Sequence, residues 1–135
     1  MCLFAHVAAG ALAGAFSPNS FLAPVFGLGS HVFLDVLPHY DFENMKVEIF
    51  LAACAIGILM IAGVFSLPII LGIVFAILPD LENLFWKLGK LRDDQKVFPG
   101  HVGFIPHGRI AGIGNLILQF AGSAVIIFYL IRRAA

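Results

Sequence analysis

Residues 21–41, FLAPVFGLGSHVFLDVLPHYD, decide how the rest of the chain is read. The stretch begins as apolar helix and ends in His31, Asp35, His39 and Asp41, with Pro38 able to stop it. On a helix, His31, Asp35 and His39 stand at i, i+4 and i+8, so they share one face and drift by only a fraction of a turn. Two imidazoles and a carboxylate stacked in this way could hold a divalent metal ion. A face of this kind is expensive in lipid and asks for a reason.

Lipid is the expected surrounding. The chain has 135 residues, room for one domain over 1–135. Hydrophobic residues make up 61% and charged residues 12%, against norms of about 45–50% and about 25%. A soluble domain of this size has too little interior to hide that much apolar surface, so the composition predicts a single integral membrane domain. Eight basic and eight acidic residues give zero net charge, and nothing points to nucleic acid. Cys2 and Cys54 fit no spaced metal or redox motif. Cys54, inside an apolar run, reads as a small buried hydrophobe. Cys2 has no apolar stretch before it, and no Lys or Arg precedes the first segment, so neither a lipoprotein signal nor a cleaved signal peptide is expected.

Five apolar segments follow from the pattern, and the fold class expected is all-α: a polytopic membrane helix bundle of about five hydrophobic helices, the first two short. Residues 2–16 are broken only by His6, and as helix rise only about 22 Å against a core of about 30 Å. This helix is short, or shielded by its neighbours. Its Gly10 and Gly14 form a GxxxG pair that permits close helix approach. Residues 17–20 are a turn and 21–38 the second helix. Residues 39–46 are a polar loop, and 47–67 read as the cleanest span, with only Glu48 charged. Residues 69–88 form a fourth helix that Pro79 should kink or break, closed by Trp86 and Lys87. Residues 89–109 are a long loop carrying His101 and His107, and 110–131 are the fifth helix, ended by Arg132 and Arg133.

With five crossings, the N-terminus, loop 39–46 and loop 89–109 share one side. His6, His31, His39, His101 and His107 all lie toward that side, with Asp35, Asp80 and Glu82. So do Lys46, Lys87, Lys90, Arg92, Lys96 and Arg109, whereas the other side has only Arg132 and Arg133. The positive-inside rule then makes this side cytoplasmic.

Each residue has a bland reading too. His6 alone reads as a core histidine bonded to a carbonyl or carboxylate. His31 and Asp35 could be a structural pair, although an Asp at a helix centre costs about 2.5–3.5 kcal/mol on insertion scales. Asp80 and Glu82, two apart, point to opposite faces of an unbroken helix. Asp80 is the expected ligand, with Glu82 as general base, as a support to a ligand, or as a solvated charge. His101 and His107 read singly as loop residues, but Pro99, Gly100, Pro106 and Gly108 give them a stiff setting. Asp41, Glu43, Asp93 and Asp94 read as solvated loop charges, and the 14 Phe residues as lipid-facing and core packing. Jointly the pattern is stronger, because all five histidines fall on one side with aspartates at ligand-like spacing. Zinc or another first-row divalent ion suits such ligands, and a metal-bound water hydrolyses esters, phosphoesters or amides.

His6, Leu78-Pro79-Asp80, His101 with His107, and Ser30-His31-x-x-Leu34-Asp35 resemble the motifs of small bacterial multi-pass proteins known as membrane-bound metal-dependent hydrolases. That family is remotely similar in pattern to zinc-dependent phospholipase C. Its motifs are an N-terminal His, a Pro-Asp-x-Asp helix end, a His-Arg-Gly-x-Thr-His loop and a His-x-x-Leu-Asp helix. The resemblance implies a bacterial inner-membrane location and makes His6, His31, Asp35, Asp80, His101 and His107 metal-site residues. Here His101 and His107 are separated by five residues instead of four, Pro106 replaces Thr, Glu82 replaces Asp, and the His31 motif precedes the Pro79-Asp80 motif. Two functions therefore stand open. One is a membrane-embedded hydrolase acting on a lipid or phosphoester at the cytoplasmic interface. The other is a non-enzymatic membrane protein, metal-binding or a small partner subunit, whose polar residues hold helices together.

Overall fold

A computed structural model describes residues 3–104, 108 and 112–135; Cys2, His107 and Arg109 lie outside them. Its elements are α1 (Leu3–Phe16), α2 (Ala23–Val36), α3 (Met45–Ile61), α4 (Leu67–Lys87) and α5 (Ile113–Ala134), with one 3-10 turn at Asp93–Gln95. The all-α expectation holds among the described residues. Two helices, α4 with 21 residues and α5 with 22, are long and apolar enough to cross a membrane. The others have 14, 14 and 17 residues; the first two are short, as expected, and the polytopic bundle of about five is met only in part, with two helices of spanning length among the described residues.

The third helix is the main difference from the sequence reading. It stops at Ile61 rather than running to 67. Gly63 takes φ 67°, its N–H bonds to the Met60 carbonyl, and the Val64 N–H bonds to the Leu59 carbonyl. These two bonds cap the last carbonyls, and Val64 folds back onto Leu59 in the core. Gly89 (φ 67°) ends α4 in the same way, through Gly89 to Trp86 and Lys90 to Phe85. A periodicity argument sees only apolar residues up to Leu67 and overlooks a glycine that can leave the helix. α4 runs unbroken through Pro79.

Helix directions alternate. The starts of α1 and α3 meet, the Leu3 N–H donating to Glu48. The end of α1 meets the start of α4 at Gly14 and Pro68, and meets the end of α5, where Arg133 donates to the Ala15 carbonyl. α1 sits at the centre and packs against all four other helices. Most of its residues are buried, including Phe4, Ala5, Val7, Ala8 and Ala11. This explains a helix that is apolar on every side and too short for a bilayer: its neighbours shield it. The main core joins Val7 and Ala11 to Ala52, Ala55, Leu59, Val64, Ile69, Ile73 and Leu130. Large apolar side chains remain exposed on the outer faces of the surrounding helices, among them Phe33, Phe50, Ile61, Val74 and Phe128. Cys54, expected to be buried, is one of the exposed α3 residues.

Glycines set how closely α1, α2 and α4 approach. A Cβ on Gly72 would overlap the Gly10 carbonyl and Gly14, and one on Gly27 would overlap the Gly72 carbonyl. The three backbones are in contact at this level, as small residues allow. One turn along each helix from that contact lie His6, His31 and Ala76, and Asp80 is a further turn along α4. The glycine contact therefore brings these positions into register.

Candidate metal centre

The cluster is built from three helices and one loop. His6 comes from α1, His31 and Asp35 from α2, and Asp80 from α4; all four are buried, at 2%, 0%, 3% and 2% exposure. His6 Nε2 lies 3.5 Å from Asp35 Oδ1 and 3.9 Å from Asp80 Oδ2. His31 Nε2 lies 3.1 Å from Asp35 Oδ2. The two imidazoles stack, with centroids 4.2 Å apart. Two groups offer ligand atoms mutually within 4.8 Å: His6, His31 and Asp35, and His31, Asp80 and His101.

Backbone chemistry assigns the His31 tautomer. Its Nδ1 lies 2.6 Å from the Ala76 carbonyl oxygen, which can only accept, so Nδ1 carries the proton. The Nε2 lone pair is thereby turned toward the carboxylates, as in metal-binding histidines whose second nitrogen is held by a carbonyl. His31 Nε2, His6 Nδ1 and Asp80 Oδ2 are buried without a hydrogen-bond partner among the described residues.

The distances suit a metal. Zinc bonds of about 2.0–2.2 Å at a tetrahedral angle separate neighbouring ligand atoms by about 3.3–3.5 Å. The separations of 3.1, 3.5 and 3.9 Å bracket that spacing. The charges suit one too. Two buried carboxylates, Asp35 and Asp80, converge on His6 and His31, and a cation there would compensate them.

His101 approaches from the loop. Its Nδ1 lies 2.8 Å from Glu82 Oε2, and its Nε2 lies 2.8 Å from the Asn83 amide nitrogen. Glu82 also accepts the backbone N–H groups of Val97 and Phe98, so it anchors the loop as well as orienting His101. Its carboxylate is committed to these contacts, a supporting role among the alternatives the sequence left open. Ligation through His101 Nε2 requires the Asn83 amide to yield it. Phe98 stands edge-on to His31 at 5.1 Å between centroids. Gly100 passes over the site; a Cβ there would lie 3.5 Å from Asp35 Oδ2. Replacing Glu82 with Ala should weaken metal binding by about 10–100-fold, the usual cost of losing the partner of a ligand. A metal titration showing unchanged affinity would separate Glu82 from the site.

His39 leaves the face it was read on. α2 ends at Val36, and Leu37 turns to φ −71°, ψ 150°, so i+8 spacing no longer applies. His39 Nδ1 donates to the Leu37 carbonyl at 2.8 Å, and Nε2 lies 3.2 Å from Asp41 Oδ1. Neither ligand group contains His39. Asp41, read as a solvated charge, has a side chain only 10% exposed. Burial opposes charging His39, yet the Asp41 carboxylate and the Leu37 carbonyl outweigh it and hold the pKa above the ordinary value. The pair thus stabilises the fold below the ordinary histidine pKa of about 6.5, and that contribution is lost as pH rises through the raised value. Asp41→Asn should return the His39 pKa toward ordinary, followed by an imidazole NMR titration. An unmoved titration would discount the pair.

Sequence reasoning missed Asn83 and the Ala76 carbonyl, which carry no local signature. It also passed over Glu48, which is buried and accepts the N–H groups of Leu3 and Phe42. A lone acid inside an apolar helix was the available signal. His107 was expected at the site and lies outside the described residues. Gly108 is described: its N–H donates to the Asp35 carbonyl at 2.7 Å, and its carbonyl accepts from His39.

The fold and site together define a helical bundle with a buried His/Asp cluster able to hold a metal ion. Comparison with protein-family models, curated proteins and solved structures returned no match.

Proposed function

We propose that this chain is a membrane-embedded, metal-dependent hydrolase, acting on a lipid or phosphoester from the cytoplasmic side of a bacterial inner membrane. The observation that carries the reading is the convergence of His6, His31, Asp35 and Asp80 from three helices, all buried, with ligand atoms of His6, His31 and Asp35 mutually within 4.8 Å and Asp80 3.9 Å from His6. Zinc suits this nitrogen and oxygen set. A divalent ion held there would supply a water of lowered pKa as nucleophile. The protein's part is to hold the ligands, to exclude bulk water with Phe98, and to present His101 at the wall of a polar cleft. That cleft, about 500 Å³, is lined by Asp80, Asn83, Trp86, Lys87 and His101 among others. Once Asn83 moves aside, His101 Nε2, with Nδ1–H held by Glu82, can take a proton from the attacking water and hand it to a leaving oxygen. The apolar exposed faces, the two helices of spanning length and the resemblance to the membrane-bound hydrolases support the membrane location.

The second reading is a non-enzymatic metal-binding or partner subunit. It is favoured by the commitment of Glu82, the residue expected as general base, to Val97, Phe98 and His101. Elemental analysis of detergent-purified protein, followed by phospholipid and phosphoester turnover assays, separates the two. Stoichiometric zinc with turnover supports the hydrolase; zinc without turnover supports the subunit; no metal ends both metal readings. Orientation is tested by reporter fusions after Lys96 and after Arg133, which should report opposite sides with Lys96 cytoplasmic. The same side for both would remove α5 as a span.

A further inference from the structure

A second cavity, sharing no lining residue with the polar cleft, has His6 in its wall. It measures about 430 Å³ and is lined by residues of α1, α2 and α5 and by the Pro38–His39 turn after α2. That size falls within the roughly 300–1,000 Å³ of small-molecule sites. Its lining is graded. His6, His39, Asn115 and Gln119 lie at the end nearer the helix starts of α1 and α5, and Ala9, Gly122 and Ile126 lie deeper. Asn115, Gln119 and Ser123 stand at i, i+4 and i+8 on α5, so an otherwise apolar helix turns its polar stripe to this cavity. His6 joins this cavity to the metal centre: its ring lines the cavity, Nε2 faces the carboxylates, and Nδ1 is buried without a hydrogen-bond partner among the described residues. α5 itself is held loosely, with only Ser123 and Leu130 buried.

We infer that this cavity is a binding site for one acyl chain of a membrane amphiphile, entering between α2 and α5. The chain runs past Gly122 toward Ile126. Its polar linker, a carbonyl or hydroxyl, lies beside His6 and the α5 amides, next to the metal centre. Apolar walls with a few polar groups, most of them at one end and Ser123 alone deeper, match such a molecule, and a site open to lipid needs no aqueous entry path. The inference rests on the proposed membrane location for its ligand and on the hydrolase reading for what happens at the linker.

The test uses full-length protein in phospholipid nanodiscs with palmitic acid bearing a mid-chain diazirine. Photolysis should label Ala9, Gly122 and Ile126 in preference to the exposed Phe21 and Phe33. Gly122→Leu should abolish that labelling with thermal stability kept, because a Cβ at Gly122 meets nothing within 4 Å. Ala9→Phe, from the opposite wall, should do the same. Even labelling over Phe21 and Phe33, unchanged in both variants, overturns the proposal. So does a wild-type dimer broken by Gly122→Leu, which would seat a second copy on this face. Cavity labelling of wild-type protein that carries no metal keeps the chain site while the hydrolase reading fails, and normal zinc and turnover without cavity labelling does the reverse.

Discussion

Asp35→Asn should abolish stoichiometric metal binding while leaving the helices folded. Asp35 is within 3.1 Å of His31 Nε2 and 3.5 Å of His6 Nε2, so its two oxygens serve both histidines. An amide keeps the shape and can still hydrogen-bond an imidazole, but it loses the charge that attracts a cation. Loss of a group that merely supports a ligand costs about 10–100-fold in affinity, and removing the central carboxylate should exceed that range. A structural His31–Asp35 pair predicts the opposite pattern: no metal in the wild type, and an Asn variant of nearly equal stability. Bound zinc and thermal midpoint, measured together on both proteins, read the difference directly. Wild-type protein without metal, alongside a fully stable Asp35→Asn, would sink the metal centre.

Gly72→Leu should be the most damaging single change to the fold. A Cβ at position 72 would sit on the Gly10 carbonyl and against Gly14, and both are backbone, which cannot swing aside as a side chain can. Overpacking typically costs about 1–3 kcal/mol and occasionally more; here α1 and α4 must part, and His6 and Asp80 part with them. The variant should therefore lose metal as well as thermal stability. Gly57→Ala is the matched control. No atom lies within 4 Å of a Cβ there, and exchanging a mid-helix glycine for alanine gains roughly 0.5–1 kcal/mol. Equal midpoints for the two variants would show that the glycine contact does not set the bundle.

Composition and period alone determined that the chain is helical, and they located all five helices, because long apolar runs between turn residues leave little choice of element. The pairing of His31 with Asp35 was equally legible, since i, i+4 neighbours on a helix must meet. Tertiary structure decided the rest. Whether the short α1 was truncated or shielded depended on where four other helices pack, and local sequence has no access to that. His39 looked like a third ligand only while α2 was extended past Val36; the extended backbone at Leu37 turned it to Asp41. Glu82 kept three readings open until the loop at Val97, Phe98 and His101 folded onto its carboxylate. The meeting of His6 with Asp35 and Asp80 joins residues far apart in the chain. It depends on Gly10, Gly14, Gly27 and Gly72 letting three backbones touch, a distance that only packing can set.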